Sequence, residues 1–207
     1  MTARLCILPL ILALAAPAAA LPIKLPDKPD LDRTIAAYPV TLTDLPPATI
    51  AAFVAQEDRF FWERVRAGKD STLTAMALRL LVRDTPTDWH QASPLEKDDA
   101  VEALTLAATP EQILTIYLNL IPFGDDLSGL TAAADRYFRK TPNELTPAEA
   151  AWLAAVAGSP DIALKPANRD RTGRQRDYIL RQMHKAGALT DAALEEQLAQ
   201  PLPDPAS

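Results

Sequence analysis

The chain has 207 residues, 48% of them hydrophobic and 23% charged, with a net charge of −6. That length supports one domain with a real core and is short for two. The negative balance excludes a nucleic-acid partner held by bulk electrostatics, and His90 and His184 lie too far apart in sequence to suggest a His-built zinc site.

The first twenty residues read as an export signal. A short basic start, "MTAR", precedes the apolar run "LCILPLILALAAPAAA", and Ala18, Ala19 and Ala20 supply small residues for cleavage before Leu21. The run is short for a membrane span and is interrupted by Pro9 and Pro17, so cleavage is favoured over an uncleaved anchor. Cys6, the sole cysteine, would leave with the signal, and the mature chain would be periplasmic without a thiol. Residues 21–46 are Pro-rich and expected to be extended, with a short strand over 38–42. A helical domain is expected over 47–200, and residues 201–207, "PLPDPAS", as a disordered tail.

Within 47–200 the signals are helical. "PPATIAAFVAQEDRFFWERVRAG" opens on prolines suited to a first turn and closes at Gly68, and "STLTAMALRLLVRD" begins at Ser71, a good N-cap. Ser93 with Glu96, Thr109 with Gln112 and Thr146 with Glu149 share one formula: a capping hydroxyl, then Pro, then a residue that closes a capping box. A basic amphipathic helix follows, ending at Gly187, and a last helix starts at Thr190. Strand patterns are nearly absent. The fold class is therefore all-α, in a single lobe.

The chemistry turns on "AAFVAQEDRFFWE". Ile50, Phe53, Val54, Glu57 and Phe61 fall at helical spacing, so Glu57 lies in line with the apolar stripe. A carboxylate so placed loses solvent, which raises its pKa and suits it to general acid–base work. Two ordinary readings remain open: a buried Glu paired with Arg59, Arg64 or Arg66, or a stripe that ends before residue 57.

Three segments in order carry a resemblance: "LPPATIAAFVAQEDRFFWE", "STLT" and "ILTIYLNLIPFGDDLSGLTAAADRYFRKTPNELTPAEAAWLAAVAGSP". Together they resemble the lysozyme-like peptidoglycan glycosyltransferase domain, family 51, of penicillin-binding proteins and monofunctional peptidoglycan polymerases. The likeness covers residues 38–200, and its most specific piece is 117–140. It implies transfer of a glycan chain onto lipid II: the acceptor 4-hydroxyl attacks an anomeric carbon and polyprenyl pyrophosphate leaves. It also implies a membrane surface and a cell-wall synthase as partners, and a divalent cation, Mg or Mn, at the pyrophosphate. Glu57 inherits the general-base position of the family's Glu-Asp-x-x-Phe motif, and Asp58 its substrate-binding neighbour.

Elsewhere the chain departs from the family. Arg64 stands where a His is expected, and the stretch to the next motif is shortened. "KDSTLTAMALR" keeps Ser71, Thr72 and Thr74 as substrate-binding positions, replaces the flexible glycines with Lys69 and Asp70 and two amides with Ala75 and Met76, and offers Arg79 for the family's lysine. The motif carrying the second carboxylate is the least preserved. Ungapped counting puts Lys97 there; a short gap near Ala108 puts Asp99 there, on one helical face with Leu95, Ala103 and Leu106, and the Arg-Lys pair before it is missing. Acids in a first helical turn are favoured by the helix dipole in any case. Tyr117, Asn119, Phe123 and Gly124 read as helix-end and packing residues, and the Arg169–Arg181 run as a solvated, salt-bridged face. The primary functional expectation is the polymerase, with Glu57 and Asp99 as its catalytic carboxylates. The alternatives are a silent relative that binds lipid II, glycan or a synthase, and a lysozyme-like glycan-cleaving enzyme.

Overall fold

The computed structural model describes residues 23–85, 89–124 and 126–203, so the expected export signal and Cys6 lie outside the described residues. Among them there is no strand, only an isolated bridge between Pro122 and Ser128. The helices, in chain order, are α1 (Lys28–Ala36), α2 (Pro47–Glu57), α3 (Phe61–Arg66), α4 (Thr72–Leu81), α5 (Pro94–Ala107), α6 (Pro110–Leu120), α7 (Leu130–Phe138), α8 (Pro147–Ala157), α9 (Pro160–Ala163), α10 (Arg169–Lys185) and α11 (Asp191–Leu198). None is long and apolar enough to cross a membrane. The all-α, single-lobed expectation holds.

The three capping-box starts form as read. Ser93, Thr109 and Thr146 each accept from the backbone N–H three residues on, and Glu96, Gln112 and Glu149 reach back to close the box. Each cap is worth about 1 kcal/mol to its helix.

Helix α8 is the centre of the lobe. Every residue from Ala150 to Ala157 is buried, so the helix is apolar all round and has neighbours on every side. Its alanines let α2 and α10 pack closely on it, while α6 lies against α4. Phe53 of α2 meets Tyr117 of α6 and Phe123 edge-on, at centroid distances of 6.2 and 6.4 Å. This aromatic wedge fixes the end of α2 against the middle of α6.

Three regions differ from the sequence expectation. Residues 28–36 are helical, not extended: Asp27 caps α1 by accepting from the Asp30 N–H, and Pro29 sits in the first turn, where it needs no amide hydrogen. Residues 38–42 form no strand. Val40 is instead held by the Asn119 side chain, whose Nδ2 donates to the Val40 carbonyl at 2.8 Å and whose Oδ1 accepts from the Val40 N–H at 3.2 Å. At the other end, residues 201–203 are fastened. Arg169 donates to the Leu202 carbonyl, and buried Arg176 donates to the Gln200 carbonyl at 2.7 Å while pairing with Asp177. Leu202 packs on Gly173, where a Cβ would come within 2.6 Å of it. The arginine run is thus partly a clamp for the tail and only partly a solvated face.

Candidate active site

The helix expected to run from residue 46 to 68 breaks immediately after Glu57. Asp58 is extended (φ −158°, ψ 94°), and its Oδ1 accepts from the Phe60 N–H at 3.0 Å. Such a local side-chain bond offers the backbone an alternative to the helix. The break leaves Glu57 as the last residue of α2, at the carbonyl end of the helix, where negative charge is disfavoured. Phe61 opens α3 and is fully buried.

Glu57 is half-buried and turned towards α6, where the Tyr117 hydroxyl donates to its Oε1 at 3.1 Å. Burial raises the carboxyl pKa above its ordinary value, and the Tyr117 bond pulls it partly back. Tyr117 is fully buried. Burial first, then the charge and hydrogen bond of Glu57, push its phenol well above the usual value, so it stays protonated and remains a donor at neutral pH. No ion pair with Glu57 occurs among the described residues. The three nearby arginines are spent elsewhere: Arg59 stacks over the Phe60 ring at 4.4 Å, Arg64 donates to the Asp70 carbonyl, and Arg66 lies 3.8 Å from Glu111. The reading of Tyr117 as a packing residue is therefore incomplete. No local pattern links it to a carboxylate sixty positions away.

The remaining candidates divide. Asp58 is turned into its own turn, and its Oδ2 is buried without a partner. Ser71 and Thr74 are buried and bonded to each other: the Ser71 hydroxyl caps α4 by accepting from the Thr74 N–H, and the two hydroxyls lie 3.0 Å apart. Thr72 is the hydroxyl left facing solvent. Arg79 is exposed, makes no hydrogen bond or ion pair among the described residues, and lines a cavity of about 630 Å³ with Arg83, Trp89, His90, Leu80 and Ile121. Ile121 donates its N–H to the Tyr117 carbonyl, so the cavity wall lies one helical turn from the Glu57 partner. Asp99 is exposed on α5 and borders a separate hollow with Ile23, Leu25 and Ala103, which shares no lining residue with the cavity of Arg79 among the described residues. The structure therefore brings Glu57 and Tyr117 together and leaves Asp99 apart from Arg79. Among the described residues no group of three or more acidic, His or Cys side chains is arranged to hold a metal ion.

A family model described as transglycosylase matches residues 63–184. The chain belongs to the transglycosylase family. The match begins just after Glu57, covers the Arg79 cavity and α6 to α8, and ends in α10. The biosynthetic peptidoglycan transglycosylase of Pectobacterium atrosepticum is 32% identical over 76% of this chain and 70% of its own length. Penicillin-binding protein 1C of Escherichia coli is 30% identical over 80% of this chain and 24% of its own, so the chain spans about a quarter of that relative. Among solved structures, penicillin-binding protein 1A from Haemophilus influenzae aligns with a TM-score of 0.48 and 25% identity, covering 79% of this chain and 17% of that one.

Proposed function

We propose that this chain is a peptidoglycan glycosyltransferase that transfers a glycan chain onto lipid II, with Glu57 as its general base. In the step, the acceptor O4 forms a bond to the anomeric carbon of the donor and its proton passes to Glu57. The bond from that carbon to the pyrophosphate oxygen breaks, and the polyprenyl pyrophosphate departs with the electron pair. A carboxylate with a raised pKa is a stronger base, which suits it to accept that proton. Tyr117 is a positioning residue: it occupies Oε1 and leaves Oε2 for the acceptor hydroxyl. Arg79 is the cation offered to the leaving pyrophosphate, with Arg83, itself paired with Asp84 at 3.4 Å, beside it. Thr72 can add one donor, while Asp58, Ser71 and Thr74 act by shaping the turn and the helix start.

One observation carries this reading: Glu57 is half-buried yet held by a neutral hydroxyl donor and, among the described residues, by no cation. A silent relative would be expected to neutralise such a carboxylate with one of the three arginines within reach along the chain. The test is polymerisation of lipid II by the full chain in detergent, beside Glu57→Gln. Glycan chains made by the wild type and lost in the variant support the proposal. No product at concentrations where the Pectobacterium atrosepticum relative polymerises readily would sink it.

A further inference from the structure

Helix α10 carries a face of one sign. Arg171, Arg174, Tyr178, Arg181 and Lys185 fall alternately three and four residues apart and are all exposed, so they form one row along the helix. None of the four cations makes an ion pair or hydrogen bond among the described residues, whereas buried Arg176 is paired with Asp177. Asp170, the other acid of α10, sits in the first turn, where the helix dipole favours it. At ~1.5 Å per residue the row is about 21 Å long, with one aromatic ring in the middle of four positive charges.

Helix α5 carries the opposite face. Leu95, Asp98, Asp99, Glu102, Ala103 and Leu106 are exposed along one side of it. Its one cation, Lys97, stacks over the Trp89 ring at 5.6 Å, and the three exposed acids have no ion pair or hydrogen bond among the described residues. The two leucines stand about 17 Å apart. Between them lies the hollow of about 230 Å³, lined by Ile23, Leu25, Ala100 and Ala103 and rimmed by Glu96 and Asp99. At ~30 Å³ per water it holds about eight waters, the size class of one aromatic side chain.

Three of the five large hydrophobic side chains exposed among the described residues lie on these two faces: Leu95 at 69%, Leu106 at 73% and Tyr178 at 52%. The rows match in length, are opposite in charge, and agree in the order of their parts. One is a ring flanked by cations; the other is a ring-sized hollow flanked by acids. No ion pair joins them within the chain among the described residues, and they have different neighbours: α5 packs on α4, and α10 on α8 and α2. An anionic lipid surface would account for α10 alone. It would repel α5 and leave Leu95 and Leu106 in water.

We propose that α10 of one copy docks on α5 of a second copy of this chain, with Tyr178 seated in the hollow beside Asp99 and with Arg174 and Arg181 facing Asp98 and Glu102. The contact uses a different patch on each partner, so it is heterologous and joins copies head to tail. Tyr178 is the anchor. The charges around it set register, partner choice and rate of encounter more than affinity.

The experiment is sedimentation equilibrium of the full chain in a nonionic detergent matched in density to the solvent. The average mass is expected to rise with chain concentration through the micromolar range. It should fall towards that of one chain as salt goes from about 0.05 M to about 1 M, where the Debye length is only ~3 Å. Asp98→Lys with Glu102→Lys, or Arg174→Glu with Arg181→Glu, weakens self-association at least about tenfold, because each pair leaves both faces alike in charge. An equimolar mixture of the two double variants assembles again, since each row now finds its opposite on the other chain. Tyr178→Ala weakens association roughly tenfold and leaves its salt dependence in place. All five positions are exposed, so thermal melts should match the wild type. A wild type that stays a single chain throughout, variants that associate as it does, or a mixture that stays apart would each overturn the proposal. So would a chain that remains single yet binds phosphatidylglycerol vesicles through Arg174 and Arg181, which would assign the row to a lipid surface.

Discussion

Tyr117→Phe removes one hydroxyl and changes nothing else in the shape of a fully buried ring. The lost bond is the donation to Glu57 Oε1 at 3.1 Å. Hydrogen bonds to charged groups are worth roughly 1.5–3 kcal/mol. Glu57 is only half-buried, so water can replace part of the bond, and the lower end of that range is expected. For a domain of this size about 1.5 kcal/mol lowers Tm by roughly 3–6 °C. Because the Tyr117 bond holds the Glu57 pKa down against burial, its loss lets that pKa rise further. The acid limb of the polymerisation rate against pH should move to higher pH, and the rate at neutral pH should fall more than the rate at alkaline pH. The stability deficit should shrink in acid, where Glu57 is protonated and accepts a weaker bond. The assays are lipid II polymerisation from acidic to alkaline pH and thermal melts over the same range. An unmoved acid limb, with a rate equal to wild type, would refute the positioning role of Tyr117 even if Tm fell.

Glu57→Gln should abolish polymerisation and, at neutral pH, raise Tm. A carboxyl whose folded pKa is raised contributes its full stability below the unfolded pKa and loses it as pH rises through the folded pKa. The variant's advantage in thermal melts should therefore vanish below about pH 4.5, the ordinary value for this group. Arg79→Ala should lower kcat/KM for lipid II by at least about tenfold, more at low salt than at high salt, with Arg79→Lys restoring part of the loss. Asp99→Asn should leave the rate within about twofold and stability within ~0.5 kcal/mol, the range of ordinary surface substitutions. A large loss of rate in that variant would return Asp99 to the catalytic site.

Much of this protein was legible in its residues. Capping formulas at Ser93, Thr109 and Thr146 set helix starts, because a cap is a bond between residues three apart. The burial of Ala150–Ala157 agrees with a segment that carries no polar side chain. Placement of Glu57 in line with an apolar stripe foretold its raised pKa, since desolvation follows from the stripe itself.

Tertiary structure decided the rest. The break after Glu57 depends on an Asp58 side chain choosing its own turn over the helix, a competition whose outcome rests on what Phe61 can bury. The partner of Glu57 is sixty residues away on α6, and Asn119 holds Val40 across seventy-nine. Both are bonds between segments that meet only when α2 and α6 close on the core. The same holds for the bond from Gln175 to Gln56, which exists because α2 and α10 both pack against α8. Local pattern dictates which face of each helix turns inward, through the free energy of burying it. Which carboxylate meets which hydroxyl is set by how those faces stack, and that is a property of the folded lobe alone.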